Sequence, residues 1–126
     1  MFITGIDHVQ IAMPSGAEAL ARSFYHGVLG LAEIPKPPAL AVSGGLWFQA
    51  GALQVHLGGE AQFIPAKKAH PALTVRDFAG FVAYLAGRDV AVRAEIVVAG
   101  RQRASINDVF GNKIELIEDS AELTQP

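Results

Sequence analysis

The chain has no cysteine among its 126 residues. That removes disulfide scaffolds, thiol nucleophiles and cysteine-held zinc together, and it fits a reducing cytosol. Charge is scarce as well. Only 17% of residues are charged, and the net charge is −2. There is no basic footprint for nucleic acid and no polybasic patch for an anionic membrane. No apolar run approaches the roughly 20 residues of a membrane-spanning helix. The first residues, MFITGIDH, lack a positive region followed by an apolar stretch, so no secretory signal is expected and the cytoplasm is the expected location. Apolar residues, by contrast, make up 51% of the chain. That predicts a globular protein, long enough to bury roughly two-thirds of its unfolded surface.

What is there looks like one unit written twice. The first copy opens IDHVQIAMPS and closes LQVHLGG; the second opens KAHPALTVRD and closes NKIELIE. The spacing from His8 to His70 equals that from Ser15 to Asp77, whereas His56 and Glu115 are a few residues closer. Imidazole or carboxylate side chains thus stand at all four matching strand positions. A repeat of that kind is a metal-site pattern more than a core pattern. Taken singly, His8 or His70 also reads as a hydrogen-bonded strand histidine, and Glu115 as a surface residue.

Periodicity supplies the elements. Val9 and Ile11 alternate with His8 and Gln10, and Pro14 ends that strand. Ser15 reads as a helix N-cap with Glu18 completing a capping box, and the helix should stop near Gly27. Strands are expected at 29–35, at LWFQ after Gly44-Gly45, and at LQVHL after a turn at 50–52, with an unpairable KPP turn between the first two. In the second copy, Asp77 caps a helix whose apolar face is Phe78, Phe81, Val82 and Leu85, ending at Gly87. Strands at 90–98, 101–107 and 113–118 follow. The expected layout is one domain over 1–126, with module one at 3–58, a linker at 59–69, module two at 70–118 and a frayed tail at 119–126. In every candidate strand the ligand-type residue lies opposite the aliphatic stripe, on a polar face.

The segments IDHVQIAMP, SFYHGVLGL, AHPALTVRDF and NDVFGNKIELIE resemble the vicinal oxygen chelate superfamily, which includes glyoxalase I, fosfomycin-modifying enzymes, extradiol dioxygenases and bleomycin-resistance proteins. The resemblance spans nearly the whole chain. It implies an α+β fold of two βαβββ modules, each a curved mixed sheet flanked by a helix, forming a shared cleft. It places metal ligands on the first and last strands of each module, at His8, His56, His70 and Glu115. It also implies a homodimer with a small-molecule substrate, the cleft being built within one chain or by module swapping. Three imidazoles and a carboxylate suit one divalent ion such as Zn²⁺, Ni²⁺, Fe²⁺, Mn²⁺ or Co²⁺ and suit Ca²⁺ poorly.

Two departures weigh against the best-known activities. Glyoxalase I enzymes of this size usually carry an arginine where this chain has Ala12, and an asparagine where it has Glu60; the carboxylate of Glu60 would repel that of glutathione. Fosfomycin-modifying relatives lack a histidine at the place of His56 and carry a Ser/Gly-rich loop where this chain reads AGRQRASI. The leading expectation is therefore a metal-dependent enzyme with lyase or isomerase chemistry, independent of glutathione, in which Glu115 or His56 moves protons. One alternative is a metal-free sequestering protein like the bleomycin-resistance relatives. Another is a dioxygenase-like iron site in which His56 stays beside the metal without binding it. Gln10, Trp47, Arg101 and Arg103 are candidates for contacting substrate, while His26 reads as a favourable charge at a helix C-terminus.

Overall fold

A computed structural model describes residues 1–121, and the chain divides into two compact units, Met1–Pro65 and a second beginning at Ala66. The first unit contains β1 (Val9–Pro14), α1 (Glu18–Tyr25), β2 (Ala32–Ile34), α2 (Pro38–Ala41), β3 (Leu46–Ala50) and β4 (Leu53–Glu60). The second contains β5 (Ala72–Val75), α3 (Phe78–Gly87), β6 (Arg93–Val98), β7 (Arg101–Asn107) and β8 (Lys113–Glu118). Each unit forms a four-stranded mixed sheet, ordered β1-β4-β3-β2 in one and β5-β8-β7-β6 in the other. The first and last strands pair in parallel and the remaining pairs are antiparallel. This is the α+β, twice-repeated βαβββ arrangement expected from the sequence.

Period-two alternation sorts each sheet into two faces. Leu46, Phe48, Val55 and Leu57 are buried on one face of the first sheet, where Phe48 stacks on Tyr25 of α1 with ring centroids 5.8 Å apart. Trp47, one residue along, takes the opposite face. Ala104, Ile106, Ile114 and Leu116 form the matching apolar face of the second sheet. Phe78, Ala79 and Val82 of α3 share a hollow with Ala94 and Ala104 of that sheet. Burying such side chains contributes about 1.5–3 kcal/mol each.

Asp77 caps α3 as the spacing predicts: its side chain accepts from the Gly80 N–H at 3.2 Å. Helix α1 departs from the sequence reading. Its N-cap is Ala17, with no side-chain cap. The Ser15 N–H is instead bonded to the Glu60 carbonyl at 3.2 Å, beyond the end of the β1–β4 pairing, and the Glu18 carboxylate accepts from the Gly45 N–H. The capping box is therefore not made. The strand expected at 29–35 is confined to Ala32–Ile34, the one expected from residue 90 starts at Arg93, and the short helix α2 begins at the second proline of the KPP segment. The expected linker starts later, since β4 runs to Glu60. Of the tail expected to fray, residues 122–126 lie outside the described residues.

Gly45 shows why the approach to β3 needs glycine. Its φ is +87°, and a Cβ there would lie 2.3 Å from the Leu57 carbonyl oxygen on β4. Gly45→Ala should therefore lower unfolding free energy by about 2 kcal/mol or more, left-handed backbone strain adding to the clash. Urea denaturation measures this; a loss under about 0.5 kcal/mol would mean the loop relaxes freely.

Candidate metal centre

The parallel register fixes how the ligand-type residues meet. In each unit, the residue two beyond the opening histidine is the cross-strand partner of the closing one: Gln10 opposite His56, and Ala72 opposite Glu115. His8 immediately precedes β1, and His70 stands two residues before the start of β5. Because side chains at i and i+2 share a face, each opening histidine lies beside its closing partner.

In the first unit this produces a column of rings. His56 is stacked with His8, centroids 4.0 Å apart, and with Trp47 at 4.1 Å and only 7° between planes. Its neighbours come from the segments flanking β4 on either side, so His56 is clamped between them. The His56 Nε2 lies 3.0 Å from the Gln54 Oε1; an amide oxygen only accepts, so Nε2 donates and Nδ1 holds the lone pair. Burial, with smaller help from adjacent His8, holds the His56 pKa below the usual histidine value. These residues open on a hollow of about 480 Å³, bordered also by Asp7, Gln10, Lys36 and Ser43.

His8 has the opposite arrangement. Its Nδ1 lies 2.9 Å from the Asp7 carboxylate and donates to it, which leaves Nε2 as the lone-pair nitrogen. His70 repeats this with a different oxygen: Nδ1 donates to the Lys68 carbonyl at 2.8 Å. An oxygen holding one ring N–H while the other nitrogen stays free is how metal-binding imidazoles are ordinarily oriented.

In the second unit the His70 Nε2 faces the Glu115 Oε1 at 3.3 Å. Glu115 is 9% exposed. Arg103 grips it side-on, Nε donating to Oε2 at 2.9 Å and Nη2 to Oε1 at 3.0 Å. Those bonds from Arg103 hold its carboxyl below the usual glutamate value against the opposing pull of burial, and His70 adds to the effect. Ser105 beside it donates to Glu95 at 2.8 Å and accepts from Arg93.

The other candidates are placed as follows. Gln10 and Trp47 border the hollow of the first unit. Arg101 donates to the Glu118 carbonyl at 2.9 Å, tying β7 to the end of β8. Arg103 is bonded to Glu115. His26, at the C-cap of α1, donates from Nδ1 to the Leu31 carbonyl. Residues that sequence reasoning passed over are Gln54 and Asp7, whose oxygens set the proton positions on His56 and His8. Adjacency to a ligand-type histidine, at i−2 and i−1, was the available signal. Among the described residues, no group of three or more His, Asp or Glu gathers into a metal cluster; the pairs His8–His56 and His70–Glu115 are what each unit offers.

The donor chemistry of the second pair fits a metal. A neutral His70 would aim a lone pair at an ionised carboxylate oxygen, and that contact is favourable only with a cation, proton or metal ion, between them. Two ligands each about 2.1 Å from one ion lie roughly 3.0–3.4 Å apart at ordinary coordination angles, and the observed separation falls in that range.

Comparison with solved structures decides the family. The "putative glyoxalase family protein" from Bacillus anthracis is 42% identical, with a TM-score of 0.91 over 95% of this chain and 98% of that one. The chain belongs to the glyoxalase/bleomycin resistance protein/dioxygenase superfamily. A member of that superfamily from Sphaerobacter thermophilus DSM 20745 shares the fold at 21% identity and a TM-score of 0.74, over 94% of this chain and all of that one. So does TnmS3, an antibiotic binding protein from Streptomyces sp. CB03234, at 22% identity and a TM-score of 0.73, over 95% and 99%. No family model matches the sequence, and no curated protein does.

Two groups of the site, His56 and Glu115, give the superfamily member a defined acid response. Both have pKa values depressed on folding, so each contributes stability that is complete above its unfolded pKa and is lost as pH falls through its folded one. For His56 the loss starts below about pH 6.5, and for Glu115 below about pH 4.3. Melting temperature should fall from pH 7 to pH 5, and His56→Phe, which keeps the ring but cannot titrate, should flatten that segment alone. An unchanged slope in the variant would show that His56 is not the group responsible.

Proposed function

We propose that this protein is a divalent-metal-dependent enzyme acting on a small oxygenated substrate by lyase or isomerase chemistry. The ion is held by His8, His70 and Glu115, with His56 beside it. The observation that carries this reading is the His70 Nε2–Glu115 Oε1 pair at 3.3 Å, with the His70 Nδ1 committed to a carbonyl. His8, at the equivalent place in the repeat, has its Nδ1 committed to a carboxylate in the same sense. The metal would supply Lewis-acid stabilisation of an oxyanion on the substrate.

The chain's own residues divide the remaining tasks. Asp7 and the Lys68 carbonyl hold the two opening imidazoles with Nε2 free. His56 is neutral at neutral pH and clamped, with its Nε2 proton on Gln54 and its Nδ1 able to accept one, which suits it to hold a substrate proton rather than to bind the ion. The positions of Ala12 and Glu60 make glutathione an unsuitable co-substrate. We further propose a homodimer; light scattering should give twice the chain mass at micromolar concentration, and a monomer would count against it.

A second reading, metal-free sequestration of a small ligand, is favoured by one observation: Arg103 already neutralises Glu115. TnmS3, of the same fold, is an antibiotic binding protein. Titration of chelator-treated protein with Mn²⁺, Co²⁺, Ni²⁺ and Zn²⁺ separates the two. His70→Ala and Glu115→Gln should each weaken metal binding more than about tenfold, while His56→Phe should leave it within a few fold. Failure of the wild type to bind any of the four ions would overturn the enzyme reading in favour of sequestration. Equal loss in His56→Phe would restore His56 as a fourth ligand.

A further inference from the structure

Glu115 is asked to serve two cations. Its Oε1, the atom facing the His70 Nε2, also accepts from the Arg103 Nη2 at 3.0 Å, while Oε2 accepts from Nε at 2.9 Å. A divalent ion bound between His70 and Glu115 would need the oxygen that Arg103 occupies, and it would bring like charge close to the guanidinium. We propose that Arg103 is a displaceable counter-ion: a divalent metal takes Glu115 from it, and the freed guanidinium then receives the carboxylate of the substrate. This rests on Glu115 being a metal ligand, as proposed above.

Three features make the exchange workable. The Arg103 Nη1 donates separately to the Ile96 carbonyl at 3.2 Å, so the guanidinium stays anchored on β6 when the carboxylate turns away. Glu95, the cross-strand partner of Arg103, accepts from the Ser105 hydroxyl; its charge steadies the guanidinium electrostatically while leaving the Nε–Nη2 edge open. That edge is at present matched to a planar carboxylate, two parallel N–H donors on two oxygens. The ligand that replaces Glu115 there should therefore be a carboxylate, and one carrying a second oxygen on the adjacent carbon would reach the metal as well. The substrate class inferred is a small 2-oxo or 2-hydroxy carboxylate, and binding is ordered, metal first.

Calorimetry on chelator-treated protein tests this with Mn²⁺ and pyruvate, and with inorganic phosphate as the tetrahedral comparator. Arg103→Met keeps the aliphatic stem and removes the competing cation, so it should bind Mn²⁺ about tenfold more tightly than wild type. Arg103→Lys, retaining the charge without the fork, should stay nearer wild type. Pyruvate should bind Mn²⁺-loaded wild type at least about tenfold more tightly than metal-free wild type or Mn²⁺-loaded Arg103→Met, and more tightly than phosphate. Unchanged or weaker Mn²⁺ binding in Arg103→Met, with circular dichroism showing it folded, would overturn the counter-ion role. Equal pyruvate affinity with and without Arg103 would overturn the carboxylate site, and tighter binding of phosphate would overturn its class. Failure of wild type and both Arg103 variants alike to bind Mn²⁺ would instead strike at Glu115 as a ligand, the reading on which this one stands.

Discussion

The parallel pairing of first and last strands governs everything at the polar face. Both units close their sheet by setting β1 against β4 or β5 against β8, with the same register. Antiparallel pairing would be compatible with a simple hairpin, whereas a parallel pair requires a long crossover. Here the crossover contains two further strands with two helices in the first unit and one in the second, which is why each ligand-type pair consists of residues far apart in sequence. A shift of one residue in that register would turn His56 or Glu115 into the apolar layer beside Val55 or Leu116. The buried stripes on the opposite face hold the register, so packing energy is what positions the donors.

Once positioned, the donors are oriented by neighbouring oxygens. Asp7 and the Lys68 carbonyl leave Nε2 free on the two opening histidines, while Gln54 takes the Nε2 proton of His56. The four matching positions of the repeat are thus not chemically equivalent. Three present atoms able to bind a metal ion in a common manner, and the fourth is a neutral ring sandwiched by His8 and Trp47. Two histidines and one carboxylate leave more open positions on an ion than four ligands do. That would matter for the proposed substrate, which would reach the metal through two oxygens.

Much of the fold was legible because it rests on local signals. The equal spacing of His8–His70 and Ser15–Asp77 exposed the repeat, the side chain of Asp77 marked the start of α3, and alternation gave β7 and β8 with their observed bounds. The capping box at Ser15 failed because tertiary partners outbid a local motif: Ser15 continues toward Glu60, and Glu18 is drawn to Gly45. The pairing of Arg103 with Glu115 was illegible for a different reason. Arg103 stands directly opposite Ile117, and reaches Glu115 diagonally across the strands. Alternation says which face a side chain occupies; it does not say which neighbour a long, flexible side chain selects there.

That diagonal reach brings out the electrostatic logic of the second unit. A carboxylate as buried as Glu115 cannot stand ionised without a cation, since the cost of leaving it unpaired exceeds that of most single packing defects. The Arg103 guanidinium is the cation this structure supplies, bonded to both carboxylate oxygens. In the proposed site, an oxygenated anion would find a guanidinium whose carboxylate the ion has claimed. The pairing that satisfies Glu115 would thereby make the proposed anion-binding role of Arg103 conditional on the proposed metal.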